Sequence, residues 1–323
     1  MRLWPAALAA FAFATAVTAA PGLRAEDGYP ARPILMIVPF AAGGTSDVIA
    51  RVVAEELSRA LGQRIVTENA GGAGGTLALA RAARAEPDGY TIVIGNTGTN
   101  AAAYSIYPDL RYGPDAFVPI GLVAKTSPLL AVRKTHPART LAEFIAYAKA
   151  NPGRATLGHA GVGSSNYLIC RSFIQAAAVE VTLVGYRGAA PALQDLLAGQ
   201  IDGVCDAATS LGSQVQAGEA RALAVAGPAR LAILPDVPTS AEAGLAAFQA
   251  QGWNALFAPK GTPEAIVQRL NAAIRQAMAS ESLRKRFAEL ASTTPEPDET
   301  VPAHLAALVP AEIAKYRQLL ADR

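Results

Sequence analysis

The apolar positions between Ile34 and Leu57 change period once. Ile34-Leu-Met-Ile-Val38 is an unbroken apolar run, the pattern of a buried strand. Pro39 and Gly43-Gly44 end it. Val48, Ile49, Val52, Val53 and Leu57 then follow helical spacing, with Thr45, Ser46 or Asp47 placed to cap the helix. A strand, a glycine loop and a helix N-terminus in this order aim unpaired N–H groups and the positive end of a helix dipole at one spot. Such a spot suits a carboxylate or phosphate. The same glycine pair also serves a tight turn with no ligand. It is neither a P-loop nor a dinucleotide fingerprint, because no Gly-Lys-Ser/Thr follows and the G-x-G-x-x-G spacing is absent.

The unit recurs down the chain. Strand 64–68 leads through the glycines of 69–75 to a helix over 76–85. Strand 90–94 leads to a polar loop, 95–100, that contains Asn96 and Thr97. Apolar runs at 118–125 and 128–132 predict strands that leave the first sheet, and the first crossing between domains is placed here. Arg139-Thr140 caps a helix over 141–150. Strand 155–158 enters the loop His159-Ala-Gly-Val-Gly-Ser-Ser-Asn166, followed by a helix over 167–178. Ser164, Ser165 or Asn166 in that loop either caps the helix or reaches a ligand oxygen. Strand 180–185 ends at Tyr186, and a helix over 189–198 follows. Strand 201–205 has Asp206 just past its end, either as a ligand acceptor or as a cap. Strand 222–226 precedes the proline-stiffened Leu234-Pro-Asp-Val-Pro-Thr239, which suits the return crossing. Strand 253–258 and helices beginning at Thr262-Pro263-Glu264, 280–291 and 301–320 complete an α/β chain. In open α/β sheets ligands sit outside the carboxyl ends of strands, where these glycine and hydroxyl loops fall.

Residues 1–25 have a different pattern. Arg2 precedes an uncharged apolar run, Ala6 to Ala20, too short for a comfortable membrane span, with small residues after it. This is the pattern of a secretory signal peptide cleaved near Ala25 or Ala19. No cysteine stands there to carry a lipid, so a soluble exported protein is expected. The 323-residue chain is 51% hydrophobic and 17% charged, enough for two domains with large cores. A formal net charge of +2 gives no reason to expect nucleic acid or an anionic membrane as partner. Cys170 and Cys205 form either a disulfide or two buried thiols. His136, His159 and His304 have no metal-ligand spacing, and neither a metal nor a cofactor is expected.

Five stretches in order, Ile37-Val-Pro-Phe-Ala-Ala-Gly-Gly-Thr-Ser-Asp47, Pro87-Asp-Gly-Tyr90, Gly161-Val-Gly-Ser-Ser165, Tyr186-Arg-Gly-Ala-Ala-Pro-Ala192 and Leu234-Pro-Asp-Val-Pro-Thr239, resemble the Bug family. These are TctC-type extracytoplasmic receptors of tripartite tricarboxylate transporters. The resemblance runs from about Tyr29 to the C-terminus. It implies a type II periplasmic binding protein fold: two α/β lobes joined by two crossing strands, with the ligand cleft between them. On this division residues 26–125 and 231–323 form lobe 1, and 126–230 form lobe 2. The resemblance also implies that one carboxylate of a small acid is held by Phe40, Ala42, Gly43, Thr45, Ser46 and Asp47 from lobe 1. Gly163, Ser164, Ser165 and Asn166 would hold it from lobe 2, with Asn96, Thr97, Tyr186 and Asp206 at the far end of the ligand. The expected role is a monomeric periplasmic receptor delivering a carboxylate, whether organic acid, amino acid or a related compound, to membrane permease subunits. Two positions depart from the family pattern: Tyr167 where histidine is common, and Ala41-Ala42 where proline is frequent. The rival readings are a receptor for a signalling partner, and an exported hydrolase with Ser46, Ser164 or Ser165 as nucleophile and His159 as base. The second lacks a G-x-S-x-G elbow and has His159 on the same loop as two of the serines.

Overall fold

A computed structural model describes residues 28–321, so the expected signal peptide lies outside the described residues. Eleven strands follow in order: β1 (Ile34–Val38), β2 (Ile65–Asn69), β3 (Thr91–Asn96), β4 (Phe117–Thr126), β5 (Pro128–Arg133), β6 (Thr156–His159), β7 (Thr182–Gly185), β8 (Gly203–Ala207), β9 (Ala220–Val225), β10 (Gly252–Pro259) and β11 (Ser292–Thr293). They form two sheets, one of six strands in the order β11-β4-β10-β3-β1-β2 and one of five in the order β7-β6-β8-β5-β9. In the first, β1 pairs in parallel with β2 and β3, while β10 lies antiparallel between β3 and β4. In the second, β6 is parallel to β7 and β8, and β5 is antiparallel to β8 and β9.

The unbroken apolar run of β1 reflects burial on both faces. Ile34, Met36 and Val38 point into one core layer with Ile49, Val53 and Leu57 of helix Thr45–Leu61. Ile37 points into the opposite layer with Leu79, Leu122 and Leu305. The second sheet is covered in the same way. Phe144, Phe173 and Phe248 pack on Leu130, Val132 and Leu157 on one side, and Leu196 and Leu211 pack on Leu129, Ala131 and Val204 on the other. Cys170 and Cys205 are bonded as a disulfide, with Cα atoms 5.4 Å apart, inside the first of these layers.

Only Ser127 separates β4 in one sheet from β5 in the other, so the first crossing falls where the two apolar runs meet. The return differs from expectation. Residues 234–239 do not cross: Leu234 and Val237 pack in the second sheet's core, and Val225 N–H donates to Pro238 O. Phe248 is also buried there, and Ala250 N–H donates to Ala226 O. The chain passes back at about Gln251, which extends the second lobe from 230 to about 250. The prolines stiffen a strap along that lobe, and apolar Leu234, Val237 and Phe248 hold it down.

Two further local expectations change. The polar stretch after β3 is helical: Gly98–Ala102 and Ala103–Ile106 continue from Thr97 with no intervening loop. Asp206 lies within β8, one residue before its end. Among the described residues no helix is long and apolar enough to cross a membrane.

Candidate functional site

Helix Thr45–Leu61 starts after β1, and helix Ser165–Ala177 starts after β6, one from each lobe. Their N-termini meet at one cleft. Phe40, Gly44, Thr45, Ser46 and Asn96 line it from lobe 1, with Thr126, Trp253 and Asn254 near the crossings. Ala160, Ser165, Asn166, Ile169, Ala189, Asp206 and Ala207 line it from lobe 2. The cavity is about 40 Å³, room for a few waters at about 10–15 Å³ each, and the lobes touch across it. Thr45 Oγ1 donates to Asp206 Oδ1 at 3.3 Å and lies 3.2 Å from Ser210 Oγ. Gly98 N–H donates to Ser165 Oγ at 3.2 Å, and Tyr107 Oη donates to Val162 O at 2.6 Å. Phe40 closes the apolar side against Ala160 and Ala189. Ser165 and Ile169 also border a larger cavity of about 510 Å³, with Thr97, Gln249, Gln251, Lys315 and Tyr316 in its wall.

The two helix starts are built differently. Gly44 is the N-cap of the first and no side chain caps it, contrary to expectation. Asp47, in the first turn, reaches back to accept from Gly43 N–H at 2.9 Å, and also accepts from Arg51 Nε and from Asn69 Nδ2. The Gly44, Thr45 and Ser46 N–H groups have no intrahelical partner at a helix start, and all three residues line the cleft. In the second helix Ser164 caps, accepting from Tyr167 N–H at 3.2 Å, which leaves Ser165 and Asn166 to face the cleft. Ser46 Oγ sits in an amide network, 3.2 Å from Asn254 Oδ1 and accepting from Asn96 Nδ2 at 3.3 Å.

Of the expected site residues, Phe40, Thr45, Ser46, Asn96, Ser165, Asn166 and Asp206 converge on the cavity. Ala42 and Gly43 are exposed and do not line the cavity, Gly43 lying against Ala190. Asp47 is turned to Arg51 and Asn69. Thr97 faces the larger cavity, and Gly163 lies against Tyr107. Ser164 is buried as a cap, and Tyr186 donates to Asp195 at 2.7 Å, away from the cleft. Gly44 of the glycine pair lines the cavity as well, and so do Thr126, Ile169, Ala189, Trp253 and Asn254, which the sequence did not single out. For Asn254 the signal was present, a lone amide inside an otherwise apolar strand.

Burial works to raise the Asp47 carboxyl, but Arg51, the Gly43 N–H and the Asn69 amide outweigh it and hold it below the usual carboxylate range. A depressed carboxyl adds stability that is full above the unfolded value near 4 and is lost as pH falls through the folded value. The Asp47→Asn variant should lose about 1 kcal/mol at neutral pH, and the gap should shrink on acidification below about pH 4. Urea melts of both proteins across pH check this, and a gap that does not change with pH contradicts it.

His159 is buried, which pushes its imidazole down, and its Nδ1 accepts from Gly161 N–H. Among the described residues no hydrogen bond joins His159 to Ser46, Ser164 or Ser165, so the nucleophile–base pair of the hydrolase reading is not assembled.

The profile of the family described as "Tripartite tricarboxylate transporter family receptor" matches residues 49–322. Three solved structures are similar over nearly the whole chain. One is MatC from Rhodopseudomonas palustris with bound malate, 40% identical, covering 90% of this chain and 99% of that one, with a TM-score of 0.87. Another is the periplasmic binding protein BugD, 36% identical, covering 91% and 98%, with a TM-score of 0.88. The third, also from R. palustris, was solved with adipate; it is 34% identical, covers 90% and 97%, and has a TM-score of 0.86.

Proposed function

The chain belongs to the tripartite tricarboxylate transporter receptor family, and on that premise we propose that it is a periplasmic receptor that clasps a small carboxylate and delivers it to the transporter's membrane permease subunits. One observation carries the reading: two helix N-termini, one per lobe, face a single cleft across which the lobes already touch. An anion there is met by fixed backbone dipoles and hydroxyls without a formal counter-charge. The malate and adipate held by two relatives belong to this chemical class. Contacts between lobes at Thr45, Gly98 and Tyr107 make closure the binding step. The lobes part to admit the acid and close over it. Export follows from the leader pattern of residues 1–25. The receptor works as a monomer and performs no catalysis.

The test is a thermal-shift screen of the mature protein against mono-, di- and tricarboxylates and amino acids. A ligand at about a hundred times its dissociation constant adds roughly 2.7 kcal/mol of stability. Folded, ligand-stripped protein that shifts with none of them would overturn the carboxylate reading.

A further inference from the structure

Asp206 is, among the described residues, the one ionisable side chain lining the small cavity. It is buried at 4% exposure. Its Oδ1 accepts from Thr45 Oγ1 at 3.3 Å, Asn166 Nδ2 at 2.5 Å and its neighbour Ala207 N–H at 2.8 Å. Its Oδ2 accepts only from the Ser210 hydroxyl. A carboxylate has about four lone-pair sites, two on each oxygen, so Oδ2 retains acceptor capacity while Oδ1 is saturated. Asn166 commits both Nδ2 hydrogens, one to Asp206 and one to Cys205 O at 3.1 Å, so its Oδ1 is the side-chain atom left to bond. The lobe 1 side of the cleft therefore presents N–H donors at the start of its helix. The lobe 2 wall at Asp206 and Asn166 presents acceptors.

A plain carboxylate ligand brings only acceptors to that wall, beside a carboxyl that burial pushes up although hydrogen bonds from Ser210, Ala207 N–H, Asn166 and Thr45 pull it down. A ligand with an O–H or N–H on the carbon next to its carboxylate brings the missing donor. We infer that the cleft selects carboxylates bearing such a donor, 2-hydroxy or 2-amino acids, over the corresponding plain acid, with Asp206 as the specificity-determining acceptor and Asn166 Oδ1 beside it. The inference rests on the carboxylate reading of the same cleft. A site that holds an unpaired acceptor penalises the ligand lacking the donor.

Calorimetric titration at neutral pH with matched trios tests it: propionate, lactate and alanine; succinate, malate and aspartate; glutarate, 2-hydroxyglutarate and glutamate. Within the trio that binds, a substituted member should bind at least about tenfold tighter than the plain acid. Which member wins tells a hydroxyl from an ammonium. In Asp206→Asn that ratio should fall towards one. A plain acid that binds wild-type protein as tightly as both substituted partners overturns the inference, and so does a folded Asp206→Asn protein that keeps the ratio. If the variant does not fold, the wild-type ratio decides alone. If folded, ligand-stripped protein binds no member of any trio, the carboxylate reading fails and this inference fails with it.

Discussion

Replacing Gly98 with alanine should weaken ligand binding by about 10- to 100-fold while leaving the ligand-free protein as stable as wild type. A Cβ at Gly98 would lie 2.6 Å from Gly163 O, 2.6 Å from Ser165 N and 2.8 Å from Ser164 C, all backbone atoms of the other lobe. No flexible side chain is available to give way. Within its own lobe the position is undemanding, because Gly98 opens a helical segment and does not adopt the left-handed backbone that favours glycine. Alanine suits a helix better than glycine. The methyl group therefore clashes only when the lobes close. Overpacking of one methyl against unyielding neighbours costs about 1–3 kcal/mol, which falls on the closed state alone and so reappears as lost affinity. Gly74 also meets the other lobe, with a Cβ overlapping Val162 O, but its φ of +62° would strain any replacement and blur the result. Titration with the best ligand, thermal melting of the ligand-free protein and small-angle scattering with and without ligand check the prediction. Wild-type affinity in Gly98→Ala, or a ligand-free melting temperature lowered by several degrees, would refute it.

Much of this architecture was legible in the sequence because its strands are short, apolar and punctuated by glycine or proline. The runs at 118–125 and 128–132 located the first crossing, since two apolar stretches with only Thr126-Ser127 between them read as successive strands. The return crossing was misplaced because prolines report stiffness and say nothing of what a segment lies against. Leu234, Val237 and Phe248 tie that strap to the second lobe through contacts distant in sequence. The stretch from Gly95 to Asn100 looked like a loop because its residues are poor helix formers. Tertiary context overrides that propensity: Asn96 Oδ1 accepts from the Gly98 and Thr99 N–H groups, and Ala101 and Ala102 are fully buried. At the site, loops that aim backbone donors were identifiable from their glycines and hydroxyls. Which member of each loop caps and which faces the cleft was not. Ser164 and Ser165 are chemically identical neighbours, and only the helix phase assigns one to the cap and the other to the cavity. Tyr186 was drawn towards the ligand by its place after a strand, but Asp195, nine residues on, takes its hydroxyl.

Removing the Cys170–Cys205 disulfide should lower stability by about 2–4 kcal/mol and loosen the lobe 2 half of the site. The bond closes a loop of sequence separation 35, and a cross-link of that span stabilises by restricting the unfolded chain. Both sulfurs are fully buried between Phe173, Leu157 and Leu130, so replacement by alanine also leaves unfilled space. The consequence extends past stability because of where the bond sits. Cys170 is on helix Ser165–Ala177, about one turn after Asn166, and Cys205 immediately precedes Asp206. The disulfide thus pins the helix that presents Ser165 and Asn166 to the strand that presents Asp206, alongside the Asn166 bond to Cys205 O. Cys170→Ala/Cys205→Ala should unfold at lower urea concentration than wild type, and reductant should no longer change its midpoint. Its affinity for the best ligand should fall by less than that of Gly98→Ala, because the lobes can still close on a site whose parts are correct but less rigidly held. Equal urea midpoints for the double variant and the oxidised wild type would show that the bond contributes nothing. A loss of affinity larger than that of Gly98→Ala would show that order within lobe 2, more than closure between lobes, sets the strength of binding.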